Sequence, residues 1–158
     1  MRIVSSALLA GLSILPIASA TEYHVSGTGS DSNAGSVSAP WRALQKAADT
    51  VQAGDTVLAH TGTYAKVTLK TSGTPSNRIT FANFPGENPI IDATGVTPPA
   101  DNTALILIEN LKHITVRGFE LRNYKTDDRN LIPTGVMITG ACSEITVSNC
   151  NEIGRAHV

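Results

Sequence analysis

The segment Lys125-Thr126-Asp127-Asp128-Arg129-Asn130 sets two acids between two cations in a polar insert. Hard cations such as Ca2+ select carboxylate oxygens, and Lys and Arg side chains select anionic groups. The insert therefore nominates Lys125 and Arg129 for contact with a bound substrate, and Asp127 and Asp128 for a metal ion. Adjacent strand residues point to opposite faces, so the two Asp side chains can share an ion only in an irregular loop. Taken by residue type alone, the run is first of all a solvated loop with local ion pairs.

The remaining candidates are isolated from one another along the chain. His60, in AHTGTY, follows a strand and precedes a turn; His24 and His113 are expected at the surface, and His157 belongs to the extreme C-terminus. Asp55 follows Gly54 where a turn-forming Asp is expected. The run GSDSNAG, with Asp31 and Asn33, resembles a Ca2+ loop in composition but lacks the spacing and terminal Glu of an EF-hand. The sequence holds no zinc-type His/Cys spacing, phosphate loop, GxSxG elbow or assembled triad. Cys142 and Cys150 flank Ile145-Thr146-Val147, and an extended strand between them would hold their Cα atoms beyond the ~7 Å bridging limit. Free thiols are the expectation, Cys150 as a small buried apolar residue and Cys142 in a turn.

These residues must be positioned by the elements around them. Tyr23 to Tyr64 spells a short strand, a Gly/Ser/Asn/Asp loop, an amphipathic helix, a turn and a buried strand. Pro40 suits a helix start, and Trp41, Leu44, Ala48 and Val51 make one apolar stripe, with Gln45, Lys46, Asp49 and Gln52 facing away. Gly54 supplies a left-handed stop. So short a helix needs an apolar partner, and the exposed end of a solenoid is the natural one. Beyond it, bursts such as Ile79-Phe81, Ala104-Ile108 and Ile114-Val116 alternate with turns such as Pro85-Gly86 and Gly140-Ala141.

A repeat supports the solenoid. ITVRGFEL, from Ile114, aligns with ITVSNCNEI, from Ile145, and Leu107 aligns with Ile138, at an offset of 31 residues. Without the polar insert the unit is about 21 residues, inside the ~20–50 residue range of repeat architectures. Asn110 and Asn123, near strand ends, are placed to join side-chain ladders along the coils.

Met1 to Ala20 has the form of a secretory signal: Arg2, the apolar run ALLAGLSILPI and the ending Ala18-Ser19-Ala20. The apolar run is short for a membrane span, and a secreted, extracellular protein starting at Thr21 is expected. Losing Arg2 takes 12 Lys+Arg to 11 against 13 Asp+Glu, a net charge of −2. Such a balance excludes the basic footprint of nucleic-acid binding. The terminal EIGRAHV matches a translated sequencing adapter, and read-through from about Glu152 onward is the expectation.

The segments GSDSNAGSVSAPWRALQKAADTVQAGDTVLAHTGTY, TSGTPSNRITFANFPGENPIID and ITVRGFELRN resemble the N-terminal part of secreted right-handed parallel β-helix proteins of the pectate-lyase-like superfamily. The likeness is greatest to family 9 polysaccharide lyases and DUF1565-type β-helix proteins. It implies an all-β right-handed parallel β-helix: signal peptide 1–20, helix-bearing cap 21–55, first coils 56–151 and a non-native tail 152–158. It also implies β-elimination on uronic-acid polymers, with an acidic, pectate-like polysaccharide as partner, Ca2+ as cofactor of the full-length enzyme and a monomeric state. The catalytic coils of such lyases would lie beyond Val158, so no catalytic residue transfers and the chain by itself is expected to be inactive. Two alternatives stand beside this one: a non-catalytic glycan-binding or cell-surface β-helix, and a glycoside hydrolase on the same fold.

Overall fold

The computed structural model describes residues 19–96, 104–125 and 133–153. Its elements run β1 (Glu22–Val25), α1 (Leu44–Thr50), β2 (Thr56–Ala59), β3 (Gly62–Tyr64), β4 (Val67–Thr68), β5 (Ile79–Asn83) and β6 (Pro89–Asp92). They continue as β7 (Ala104–Glu109), β8 (Lys112–Arg117), β9 (Glu120–Arg122), β10 (Thr134–Thr139), β11 (Ser143–Ser148) and β12 (Asn151–Ile153). The coils β2-β3-β4, β5-β6-β7 and β8-β9-β10 each supply one strand to each of three parallel sheets, ordered β1-β2-β5-β8-β11, β3-β6-β9-β12 and β4-β7-β10, with β1 below them and β11-β12 above. The result is a parallel β-solenoid.

Period-2 alternation builds the core. Val57, Phe81, Val116 and Val147 are successive partners in the first sheet, and Tyr64, Ile91 and Leu121 in the second. Stacking puts these residues in inward columns, where Val57, Ile91 and Val116 are at most 1% exposed. On the outer face Arg78 fastens three coils. From the foot of β5 its guanidinium donates to the Ile114 carbonyl at 3.0 Å and to the Glu144 carbonyl at 2.7 Å.

The cap closes the first coil in two ways. Leu44, Ala47 and Ala48 of α1 are buried on the core together with Trp41 and Val51. Backbone and side-chain groups of the cap also occupy the free strand edges. Trp41 forms a parallel bridge with Val25, its N–H donating to the His24 carbonyl and its C=O accepting from Ser26. At the third sheet the Gln45 amide bonds both backbone groups of Thr68, at 2.9 and 3.1 Å.

These contacts explain where the cap departs from the sequence-based expectation. The helix starts at Leu44 rather than Pro40, because Trp41 is held in the bridge and Asp31 Oδ1 takes the Arg42 and Ala43 amides at 2.9 Å. Gln45 turns toward β4 instead of facing away. The helix ends as Val51 goes extended, at φ −59° and ψ 148°. Gly54, at φ +100°, serves the turn into β2 instead of stopping the helix.

The repeat also needs a correction of one residue. Ile114 does pair with Ile145, but Leu107 pairs with Met137, and Ile138 pairs with Ile108. The corner between β10 and β11 is Gly140-Ala141-Cys142, one residue longer than Asn110-Leu111 between β7 and β8. Asn110, at φ +55°, and Gly140, at φ +73°, hold the left-handed position of equivalent corners, and Asn110 Oδ1 accepts from the Ala141 amide at 2.9 Å. In β12 the alternation is inverted: Glu152 continues the inward column of Leu121, while Ile153 points outward and is 47% exposed. Cys142 and Cys150, at the two ends of β11, are free thiols.

Candidate functional site

The second sheet carries a dense polar cluster on its outer face. β6 ends in Asp92 because Ile91, one residue earlier, takes the inward place; Arg122 lies directly opposite on β9 by the same alternation. Arg122 Nε donates to Asp92 Oδ2 at 2.9 Å, and a terminal guanidinium nitrogen to Glu120 Oε1 at 3.3 Å. The other oxygen of Glu120 accepts from Asn88 Nδ2 at 2.9 Å. Asn123, at φ +62° just past β9, aims its amide back at Asp92 Oδ1 at 3.1 Å and Thr94 Oγ1 at 3.0 Å. Thr94 closes the set, its amide and hydroxyl donating to Asp92 Oδ1 at 2.7 and 2.6 Å.

Four donor groups therefore converge on one carboxylate that is only 12% exposed. The Thr94 hydroxyl, then Asn123, the Thr94 amide and Arg122, hold the Asp92 carboxyl well below the usual range, against an opposing push from burial. A carboxylate so saturated orients its neighbours and does not take a proton from a substrate.

Beside this cluster opens a groove of about 350 Å³, lined by Ala93, Thr94, Gly95, Val96, Asn123 and Lys125. Lys125 is thus the one predicted site residue that the structure places, on a groove wall next to an ordered polar cluster. Arg129, Asp127 and Asp128 lie outside the described residues. Among the described residues no group of three or more His, Cys, Asp or Glu side chains is gathered closely enough to hold a metal ion. Asp31 and Asp55 act as the turn chemistry predicts, on backbone amides; Asp55 accepts from Gln52 at 2.7 Å and from Thr21 at 2.9 Å.

Sequence reasoning passed over Asp92, Glu120 and Arg122. The signal was present: the strands PIID and ELRN put charged residues at outward parity on successive coils. Only the strand register says that Asp92 and Arg122 meet. His24 is a second correction, because it is 5% exposed and not at the surface. It sits under the cap, where its Nδ1 lies 3.0 Å from His60 Nε2 and its Nε2 lies 3.2 Å from Glu22 Oε1. His60 in turn lies 3.0 Å from Glu87 Oε1 and stacks on Phe84, with ring centroids 4.5 Å apart.

A parallel three-sheet solenoid with one capping helix and a polar outer face defines a pectate-lyase-like β-helix protein. Residues 23–156 match the family described as Pel9A-like, right handed beta helix region, and the chain belongs to that family. Among curated relatives it is 32% identical over 127 residues to the uncharacterized protein YwoF of Bacillus subtilis, matching 80% of this chain and 27% of that protein. It is 35% identical over 92 residues to the pectate lyase PEL9 of Emericella nidulans, matching 56% of this chain and 22% of the relative. The chain thus spans about a quarter of the length of these relatives. Among solved structures it superposes on pectate lyase Pel9A with a TM-score of 0.57 at 20% identity, covering 81% of this chain and 38% of that one. A GH136 lacto-N-biosidase from Eubacterium ramulus gives 0.70 at 21% identity, covering 84% and 27%. These two likenesses are of fold.

Proposed function

We propose that this chain is the N-terminal part of a secreted polysaccharide lyase that cleaves uronic-acid polymers by β-elimination. The observation that supports it is the family match along almost all of the residues that follow the signal-like segment. In the reaction a base takes the proton from the carbon that bears the sugar carboxylate. That electron pair forms the new C=C bond, and the glycosidic oxygen leaves with the electrons of the broken C–O bond. The cap and first coils would serve as the platform for this chemistry, with Lys125 and Asn123 at the groove able to meet sugar carboxylate and hydroxyl groups. Ca2+ belongs to the same proposal for the full-length enzyme. The described residues do not fit it, since their carboxylates are dispersed or saturated by donors, so no step is assigned to the ion at this end of the molecule.

The test is release of unsaturated uronides from pectate by the full-length secreted protein, followed by ultraviolet absorbance, with and without chelator. Product that disappears on chelation and returns with added Ca2+ is expected. No product on pectate or other uronic-acid polymers, from folded protein, overturns the lyase reading. Export is tested separately by N-terminal sequencing of the secreted protein, which should begin at Thr21.

A further inference from the structure

The corner beneath the cap holds a row of four titratable side chains, Glu22, His24, His60 and Glu87, from three successive coils. Each of the four ring nitrogens is used once: toward Glu22, between the two rings twice over, and toward Glu87. A hydrogen bond needs one proton between its partners, so the three contacts need three N–H protons on the ring pair. Two neutral imidazoles carry only two, and two imidazolium rings carry four. We infer that the His24–His60 pair is a binding site for a single extra proton, and that this proton fastens the cap to the first coil.

The surroundings favour that count. The Thr61 amide donates to the second Glu87 oxygen, and it, followed by His60, holds the Glu87 carboxyl below its ordinary range, so Glu87 presents an anion. Glu22, the other terminus, is 60% exposed. Tyr64 packs against the same corner, donating to the His60 carbonyl at 2.7 Å. Its hydroxyl is pushed up to about 12, by burial first and Glu87 second, so it stays neutral and takes no part in the count. Phe84 stacks on the His60 ring.

The sign of the pH dependence follows from the protons. As pH rises and the extra proton leaves, one of the three contacts has no proton, either a carboxylate against a ring lone pair or the two rings lone pair to lone pair, and one bond of the row is lost. As pH falls and a further proton enters, two N–H groups point at each other across 3.0 Å. Cap docking is therefore firmest between these limits. Glu87→Gln changes the count in a defined way, because its amide oxygen still accepts from Thr61 while its NH2 donates to His60. Two neutral rings then complete all three bonds.

Two measurements on the full-length protein test the site. Ring nitrogen NMR of the folded protein should show three N–H protons on the pair across the plateau of stability; two or four at every pH overturns the proposal. Thermal melting against pH should show the wild type losing on the order of 5 °C more than Glu87→Gln on the alkaline side. Parallel curves for the two proteins overturn it as well. Should Glu87→Gln not fold, the NMR proton count on the wild type decides alone.

Discussion

The first coil and the last described coil differ in what covers them. At the cap, Leu44 is 2% exposed, Trp41 occupies the edge of β1, and the Gln45 amide occupies the edge of β4. At β10 and β11 the corresponding residues lie open, with Ile138 48% and Val147 38% exposed. A stacked strand is stabilised from both sides, and a terminal strand from one. The contrast teaches that apolar residue type does not fix the worth of a position in this fold. The presence of a neighbouring layer does.

The sharpest way to break the comparison is truncation of matched residues. Leu44→Ala should cost about 2–5 kcal/mol, because it opens a cavity under the cap. Val147→Ala, already in solvent, should cost well under about 1 kcal/mol. Denaturant unfolding of both variants measures the difference, and equal losses would mean that the cap is not a better-packed layer than the last coil.

The outer face gives a smaller effect, with a pH signature. Asp92→Asn should destabilise by about 1–2 kcal/mol at neutral pH, a range reduced because Arg122 is partly exposed. Since folding lowers the affinity of Asp92 for a proton, its contribution is complete above the ordinary aspartate range. It is lost as pH falls through the lower folded value. The gap between wild type and variant should therefore close only in strong acid, as urea titrations over an acid series would register.

The smallest effect is a gain. Glu152→Leu restores an apolar residue to the inward column after Tyr64, Ile91 and Leu121, and should add up to about 1 kcal/mol once the contact that Glu152 itself makes is set against it. A melting midpoint unchanged or lowered by this substitution would show that the last described coil does not use the column of the others.

Much of the fold was legible in the sequence because it rests on alternation and on one apolar stripe. Trp41, Leu44, Ala48 and Val51 are all buried, and Ile114 meets Ile145 as the repeat says. The helix start was not legible, since it depends on Asp31 and on the Val25 bridge, both of them tertiary partners of the Pro40-Trp41 segment. His24 and His60 lie 36 positions apart and meet only because a coil intervenes. The pairing of Asp92 with Arg122 likewise depends on register, which local pattern does not contain. Lys125 was found by residue type alone, and the groove beside it became visible only with the Thr94 turn in place.

The three-residue corner Gly140-Ala141-Cys142 has a consequence for descent. Strands on either side of it stay in phase with the coil beneath, although that coil turns the same corner in two residues. Length changes are absorbed where the chain bends, and the pairing of the straight segments is untouched. Lineages of such proteins can thus gain or lose single residues at their corners without refounding the core. Relatives that stack alike will then drift out of step in any fixed-period alignment, and shared ancestry is better sought in strand-to-strand correspondence than in a constant repeat length.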